Sequence, residues 1–247
     1  MRAHLDGGCL VVALKEGQPV REGALRIWKH FGSATGARAI SLRVLELPAG
    51  SSASLRNASC DEALYVLTGL GTARIAGQSY ELSADRGVYL PPSTACEMSA
   101  QETLTIISSQ CPDTGVALEG YAPGRAAEGV PLVVAMEDCA VQRTGDRWYR
   151  EVINAERGSA QVTQFVGSIP PGRAPDHYHL YEEVICILEG TGVMWGGMSN
   201  TPIAPGSCIF LPRGQVHCLE NRGKGELRLL GVFYPAGSPA VRYGATA

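Results

Sequence analysis

Apolar positions along this chain fall in short blocks. Ala39–Leu47, Ala63–Thr68, Thr72–Ala76, Gly87–Leu90 and Thr103–Ser109 form one series; Gln161–Ile169, Val184–Leu188, Val193–Trp195, Cys208–Leu211 and Leu227–Tyr234 form another. The blocks are rich in β-branched residues and bounded by Gly, Pro, Asn or Ser, which predicts strands joined by turns. No segment keeps a 3.6-residue apolar period, and the only helical turn expected lies near Ala117–Arg125. The pattern therefore predicts an all-β chain.

The two series are copies of one unit. Glu62-Ala-Leu-Tyr-Val-Leu-Thr-Gly69, Gly71 and Leu90-Pro91 recur as Glu183-Val-Ile-Cys-Ile-Leu-Glu-Gly190, Gly192 and Leu211-Pro212, each 121 positions later. Gly36 and Gly50 recur 122 positions later as Gly158 and Gly172, and Pro112 recurs 123 later as Pro235. The offset changes only at turn-like segments, as in a duplication with single-residue loop insertions. So long a period excludes a solenoid and predicts two tandem domains, residues 1–120 and 121–247. The Gly- and Pro-rich stretch from Pro112 to Gly145 links them, and Pro131–Ala135 is expected to supply the first strand of the second domain.

Composition supports this reading and narrows the function. The chain has 247 residues, 45% of them hydrophobic, which is ample for a buried core. Gly 30 and Pro 15 fit an architecture of many turns. A net charge of −3 offers no basic excess to neutralise phosphates, so nucleic acid is not an expected partner. No apolar run reaches the ~18 residues of a membrane span. The apolar stretch Cys9–Leu14 follows Asp6 and is too short for a secretory signal, so a cytoplasmic location is expected. The eight cysteines form no CxxC pair and read as small buried hydrophobes.

Three of the five histidines carry the candidate chemistry. In a strand, positions i and i+2 share a face, so His177 and His179 project together while Tyr178 points away. Glu183 follows a short corner, and His217 follows the turn at Pro212-Arg-Gly214. Imidazole nitrogens and a carboxylate converging inside a barrel make a first-row transition-metal site. Four protein ligands on an octahedral ion leave about two positions for water, oxygen or substrate.

These residues resemble the two motifs of the cupin superfamily. The first, G(X)5HXH(X)3–4E(X)6G, is similar to Gly172…His177-Tyr-His179-(three)-Glu183-(six)-Gly190, one residue short after Gly172. The second, G(X)5PXG(X)2H(X)3N, is matched throughout by Gly206…Pro212-Arg-Gly214-Gln-Val-His217-Cys-Leu-Glu-Asn221. The resemblance implies two tandem jelly-roll barrels (a bicupin), with His177, His179, Glu183 and His217 as metal ligands. Gly190, Gly206, Pro212 and Gly214 would shape turns. In the first copy Glu62 persists, but Arg56 and Ala58 stand for the HxH pair and Cys96 for the last histidine. A metal-free, structural N-terminal barrel is expected, its vacated site filled by an Arg56–Glu62 ion pair or adapted to a small ligand.

Cupins with this ligand set include dioxygenases, decarboxylases, isomerases, hydrolases and binding proteins. A metal-dependent enzyme acting on a small polar organic molecule is the first reading, with dioxygenase-type chemistry placed ahead. The ion would be Fe, Mn, Ni or Zn. Phe165, Ile185, Ile187, Trp195 and Phe210 would wall the pocket, with Tyr181 and Glu182 as supporting or acid/base groups. One alternative is a Lewis-acid hydrolase or isomerase. The plan of two cupins with metal in the second only is similar to that of (S)-ureidoglycine aminohydrolase, although that family orders its ligands differently. Another is a non-catalytic binding protein, though nothing resembling a helix-turn-helix accompanies it. The partner is a small molecule, and the superfamily's sheet contacts allow a homodimer.

Overall fold

The computed structural model describes residues 2–113, 115–241 and 243–244. Among them are 25 short strands and four 3-10 turns, with no α-helix. Each block expected to be a strand is one, as at Leu42–Leu47, Asp61–Thr68, Thr163–Ile169 and Glu182–Glu189. Near Ala117–Arg125, where a turn is expected, a single turn forms and no helix. Leu118–Tyr121 closes a turn through Tyr121 N–H to the Leu118 carbonyl at 3.2 Å, and the chain then runs on extended. The buried Asp61 carboxylate holds this linker, accepting from Tyr121 Oη at 2.5 Å and Gly124 N–H at 3.1 Å. A carboxylate offers the linker several acceptor sites at once, and a lone helical turn offers nothing comparable.

Each half is a pair of antiparallel sheets facing one another. The second half builds its larger sheet around Ser207–Leu211, Glu182–Glu189, Leu227–Tyr234, Thr163–Ile169 and Arg147–Ile153. Its smaller sheet comprises Ser199–Ile203, Gly192–Gly196, His217–Asn221, His177–Tyr178 and Tyr243–Gly244. The first half repeats this plan, with Leu25–Phe31, Leu42–Leu47, Asp61–Thr68, Arg86–Leu90 and Leu104–Cys111 in its larger sheet.

Alternation along the strands decides what each face meets. In Glu182–Glu189, Ile185 and Ile187 join the barrel interior with Ile209, Leu211, Leu229 and Phe233. Val184 and Cys186 point the other way, into a continuous core shared with the first half. Across that interface the Phe31 and Phe210 rings lie 5.9 Å apart. Gly69 and Gly190 end the equivalent central strands at φ 96° and 84°. A Cβ at Gly190 would come within 2.6 Å of the Glu226 carbonyl, so no larger residue fits that turn.

Two strands change sides. Leu10–Ala13, near the N-terminus, pairs with Ser207–Leu211 of the second half, Ala13 lying opposite Ser207. Reciprocally, Val133–Ala135 pairs with Arg86–Leu90 of the first half, Ala135 lying opposite Arg86. The segment expected to begin the second domain is thus a strand, but one that completes the first half's sheet. Each half covers an edge of the other's sheet, which removes two exposed edges.

Glu182 ties the halves again. Its buried carboxylate accepts from Arg38 N–H at 2.9 Å and Ala39 N–H at 2.7 Å. Truncation by Glu182→Ala leaves the buried Ala39 donor without its acceptor and should cost about 2 kcal/mol. Urea unfolding measures this, and an unchanged midpoint would contradict the assigned role.

Candidate metal centre

His177, His179 and His217 meet in the second barrel. One ring nitrogen of each lies within 4.8 Å of the others. The ring centroids are 4.9 Å apart for His177–His179, 4.4 Å for His177–His217 and 5.1 Å for His179–His217. Strand pairing explains the convergence, since His177 lies directly opposite His217 in the smaller sheet. The loop before it is held by Arg173, whose Nη2 is 3.1 Å from the Asp176 carboxylate.

The tautomers are set by backbone carbonyls. Nδ1 of His177 is 2.9 Å from the Pro175 oxygen, that of His179 is 3.1 Å from the Val241 oxygen, and that of His217 is 2.8 Å from the Gln215 oxygen. A carbonyl only accepts, so Nδ1 carries the proton and the lone pair sits on Nε2. Three Nε2 lone pairs aimed at one point form a borderline donor set for Fe, Mn, Ni or Zn. Burial, with the neighbouring His177, lowers the His217 pKa to about 4, which keeps that ring neutral and basic.

Glu183 adds a carboxylate, its Oε2 4.0 Å from His179 Nε2. Burial raises its pKa to about 8, because no solvent stabilises the anion there. A divalent cation would supply that stabilisation, so the residues present fit a bound metal. Gly231 makes room for this side chain. A Cβ there would stand 2.9 Å from Glu183 Oε1 and 2.3 Å from the Phe165 ring. Tyr181 stacks on His179 at 4.4 Å and on Phe233 at 4.1 Å, bracing the imidazole from the barrel interior.

A cavity of about 90 Å³ opens over the histidines. Phe165, Ile185, Leu219 and Leu229 supply apolar wall, with Tyr181 and Glu183 beside the histidines. The other expected wall and support residues lie elsewhere. Ile187 is in the barrel core, and Phe210 faces the first half. Trp195 has the Arg173 guanidinium 4.3 Å over its ring and donates to Glu220 at 2.9 Å. Glu182 points between the halves and is no acid or base for this cavity.

The C-terminal segment is a component that no sequence motif marks. Tyr243–Gly244 pairs with His177–Tyr178, Pro239 lines the cavity, and the Val241 carbonyl orients His179. Ending the chain after Gly237 should weaken metal binding about ten- to hundredfold, the usual range for a lost orienting partner. Titration calorimetry with Mn(II) measures the change, and undiminished affinity would show that the segment does not position the ligands.

The equivalent place in the first half is filled differently from the Arg56–Glu62 pair expected. Arg56 is exposed, and Arg43 Nη2 meets the fully buried Glu62 at 2.5 Å. Ser108 Oγ donates to the same carboxylate at 2.5 Å, and Asn57 Nδ2 donates as well. Arg43 corresponds to Phe165 and Ser108 to Gly231, so a guanidinium enters where the second half keeps a phenyl ring and a gap. Cys96 is buried and its thiol is pushed up to about 12, mainly by burial, which keeps it a neutral thiol near neutral pH. Among the described residues, the three-histidine group is the one set of three or more metal-ligating side chains found together.

Comparison with known proteins agrees with this architecture. Residues 165–233 match a family model described as the cupin domain. No curated protein matches the sequence. A Pseudomonas aeruginosa protein described as glyoxylate-induced has a similar structure, with TM-score 0.76 and 14% identity over 98% of this chain and 94% of that one. Ylba of E. coli, of family DUF861, is similar with TM-score 0.74 and 17% identity over 96% and 95% of the two chains. A single-residue variant of Bacillus subtilis oxalate decarboxylase gives TM-score 0.72 and 13% identity, over 92% of this chain and 78% of that one. The second half thus carries a cupin domain over residues 165–233, and both barrels have the cupin fold.

Proposed function

We propose that the protein is a metal-dependent enzyme acting on a small polar organic molecule, with dioxygenase-type chemistry at the second barrel. The supporting observation is the placement of His177, His179, His217 and Glu183 at one end of a small cavity with largely apolar walls. When bound, a divalent transition ion supplies Lewis acidity and, for Fe or Mn, electron exchange with oxygen. The protein's own part is to hold three neutral imidazoles and one carboxylate on the same side, leaving the opposite side to substrate. Phe165, Ile185, Leu219 and Leu229 keep water from the reacting atoms. With Glu182 directed elsewhere, Tyr181 is the remaining candidate support, and its stacking fixes the His179 ring. This shortage of acid/base side chains favours oxidation over hydrolysis.

The cavity is smaller than the ~150 Å³ that admits benzene, which favours short enediols and keto acids over flavonols. The two halves, 1–120 and 121–247 apart from their exchanged strands, divide the work: the first supports and the second reacts. Oxygen uptake by the Fe(II)- or Mn(II)-loaded protein with a panel of short enediols and keto acids tests the proposal. Substrate-dependent uptake that His177→Ala removes is the expected result. Turnover that is equal without oxygen, such as ammonia release from ureidoglycine, would favour a Lewis-acid hydrolase instead. Ligand affinity indifferent to His177→Ala would favour a binding protein.

A further inference from the structure

The outer face of the smaller sheet carries a side-chain cluster directly behind the histidines. His217 points into the barrel, so by alternation its neighbour Cys218 points outward. Trp195 lies opposite Cys218, and Arg173 lies opposite Glu220 two residues further on, so all four side chains share that outer face. The Arg173 guanidinium gathers them. Its Nε donates to Cys218 Sγ at 3.3 Å, its Nη2 donates to the Asp176 carboxylate at 3.1 Å, and its central carbon sits 4.3 Å from the Trp195 ring centroid. Trp195 is held in turn by the Glu220 carboxylate at 2.9 Å, which also accepts from Arg222 Nε at 2.9 Å. Asp176 immediately precedes His177, Cys218 immediately follows His217, and those two histidines pair directly across the strands. One guanidinium thus touches both flanks of one ligand pair. The loop it spans is closed by Ala174 N–H on the Leu219 carbonyl at 3.2 Å, and it contains Pro175, whose carbonyl is 2.9 Å from His177 Nδ1.

From this arrangement we infer that Arg173 is a positioning residue, which fixes the spacing of His177 and His217 from outside the barrel. This rests on the metal reading above and names a residue through which that site keeps its geometry. The guanidinium suits the task because it is planar and rigid. Its Nε and Nη2 bond two different partners, so the distance between those partners is set, and the Trp195 face holds its plane. Magnitudes separate this role from ordinary loop stabilisation. The Arg173 and Asp176 side chains are 45% and 48% exposed, and an ion pair so exposed adds little to folding. A metal site is less tolerant, since ligands displaced by about 1 Å no longer bind the ion together. Loss of an orienting partner lowers metal affinity about ten- to hundredfold. Removing Arg173 therefore shows in metal affinity and hardly in stability. Charge alone acts in the opposite direction, because deleting a cation near the site favours a divalent ion.

Titration of the full chain with Mn(II), read by calorimetry and by the electron paramagnetic resonance spectrum of the bound ion, tests the inference alongside urea unfolding of the same proteins. Arg173→Gln should lower Mn(II) affinity about tenfold and broaden the spectrum, with the urea midpoint close to that of wild type. Arg173→Lys keeps a cation beside Asp176 but not the fork, and should recover part of the loss. Asp176→Asn should lower affinity less than Arg173→Gln, and the double variant should be no weaker than Arg173→Gln alone, since the same contact is lost only once. Wild-type affinity and spectrum in Arg173→Gln would refute the positioning role while the metal reading stands. Affinity losses that track lowered midpoints in both single variants would assign a purely structural role and also overturn it. If wild type binds no Mn(II), the metal reading falls and takes the inference with it.

Discussion

The double variant His177→Ala/His179→Ala is expected to lose at least about a thousandfold in affinity for Mn(II) or Fe(II). Loss of a partner that merely orients a ligand costs about ten- to hundredfold. Here two of the three convergent imidazoles are removed outright, leaving His217 and Glu183, too few donors for a tightly held ion. His177 is half-buried and His179, though buried, lines the cavity rather than the apolar core, so alanine at both should leave the fold intact. Competition with a fluorescent chelator measures the change, and a loss below about tenfold would place the ion elsewhere.

The second large effect lies in the half without a metal group. Arg43→Met should destabilise the protein by about 3–5 kcal/mol, because it strands the fully buried Glu62 carboxylate without its cation. Ser108 and Asn57 would still donate to it, but neutral donors offset only part of a buried charge. The joint replacement Arg43→Met/Glu62→Leu should cost less than Arg43→Met alone, since no charge is then left in the barrel. Chemical unfolding of wild type, the single variants Arg43→Met and Glu62→Leu, and the double variant decides the matter. Additive losses would show that Arg43 and Glu62 are not coupled.

This pair shows where sequence reasoning reaches its limit. The retained Glu62 marks the vacated site, and Arg56 is the cation nearest to it in the aligned motif. Arg43 lies in a different strand, and only the strand pairing brings it over Glu62. The exchanged strands are hidden for a similar reason. Leu10–Ala13 and Val133–Ala135 are short apolar segments whose pattern says nothing about which sheet they complete. The direction of Glu182 is legible. Adjacent residues of a strand face opposite ways, so the rule that joins His177 to His179 also sends Glu182 away from Glu183. Val241 gives no signal, because it acts through a carbonyl that every residue possesses.

What the sequence does reveal is set by spacing. The 121-residue offset from Glu62/Glu183 to Pro91/Pro212 follows strand for strand in the two barrels, as in Asp61–Thr68 and Glu182–Glu189. The three histidines are legible because their convergence depends on alternation and on the pairing of two neighbouring strands. Arg147 lies in a strand that carries no motif, and its place in the cavity lining follows from barrel closure.

Anomalous diffraction from crystals grown with Mn(II) tests the central claim most directly. A single strong peak is expected in the second barrel, with Nε2 of His177, His179 and His217 and a carboxylate oxygen of Glu183 within coordinating distance, and none beside Glu62. A peak bonded to other side chains, or no peak in protein shown to be folded, would contradict it.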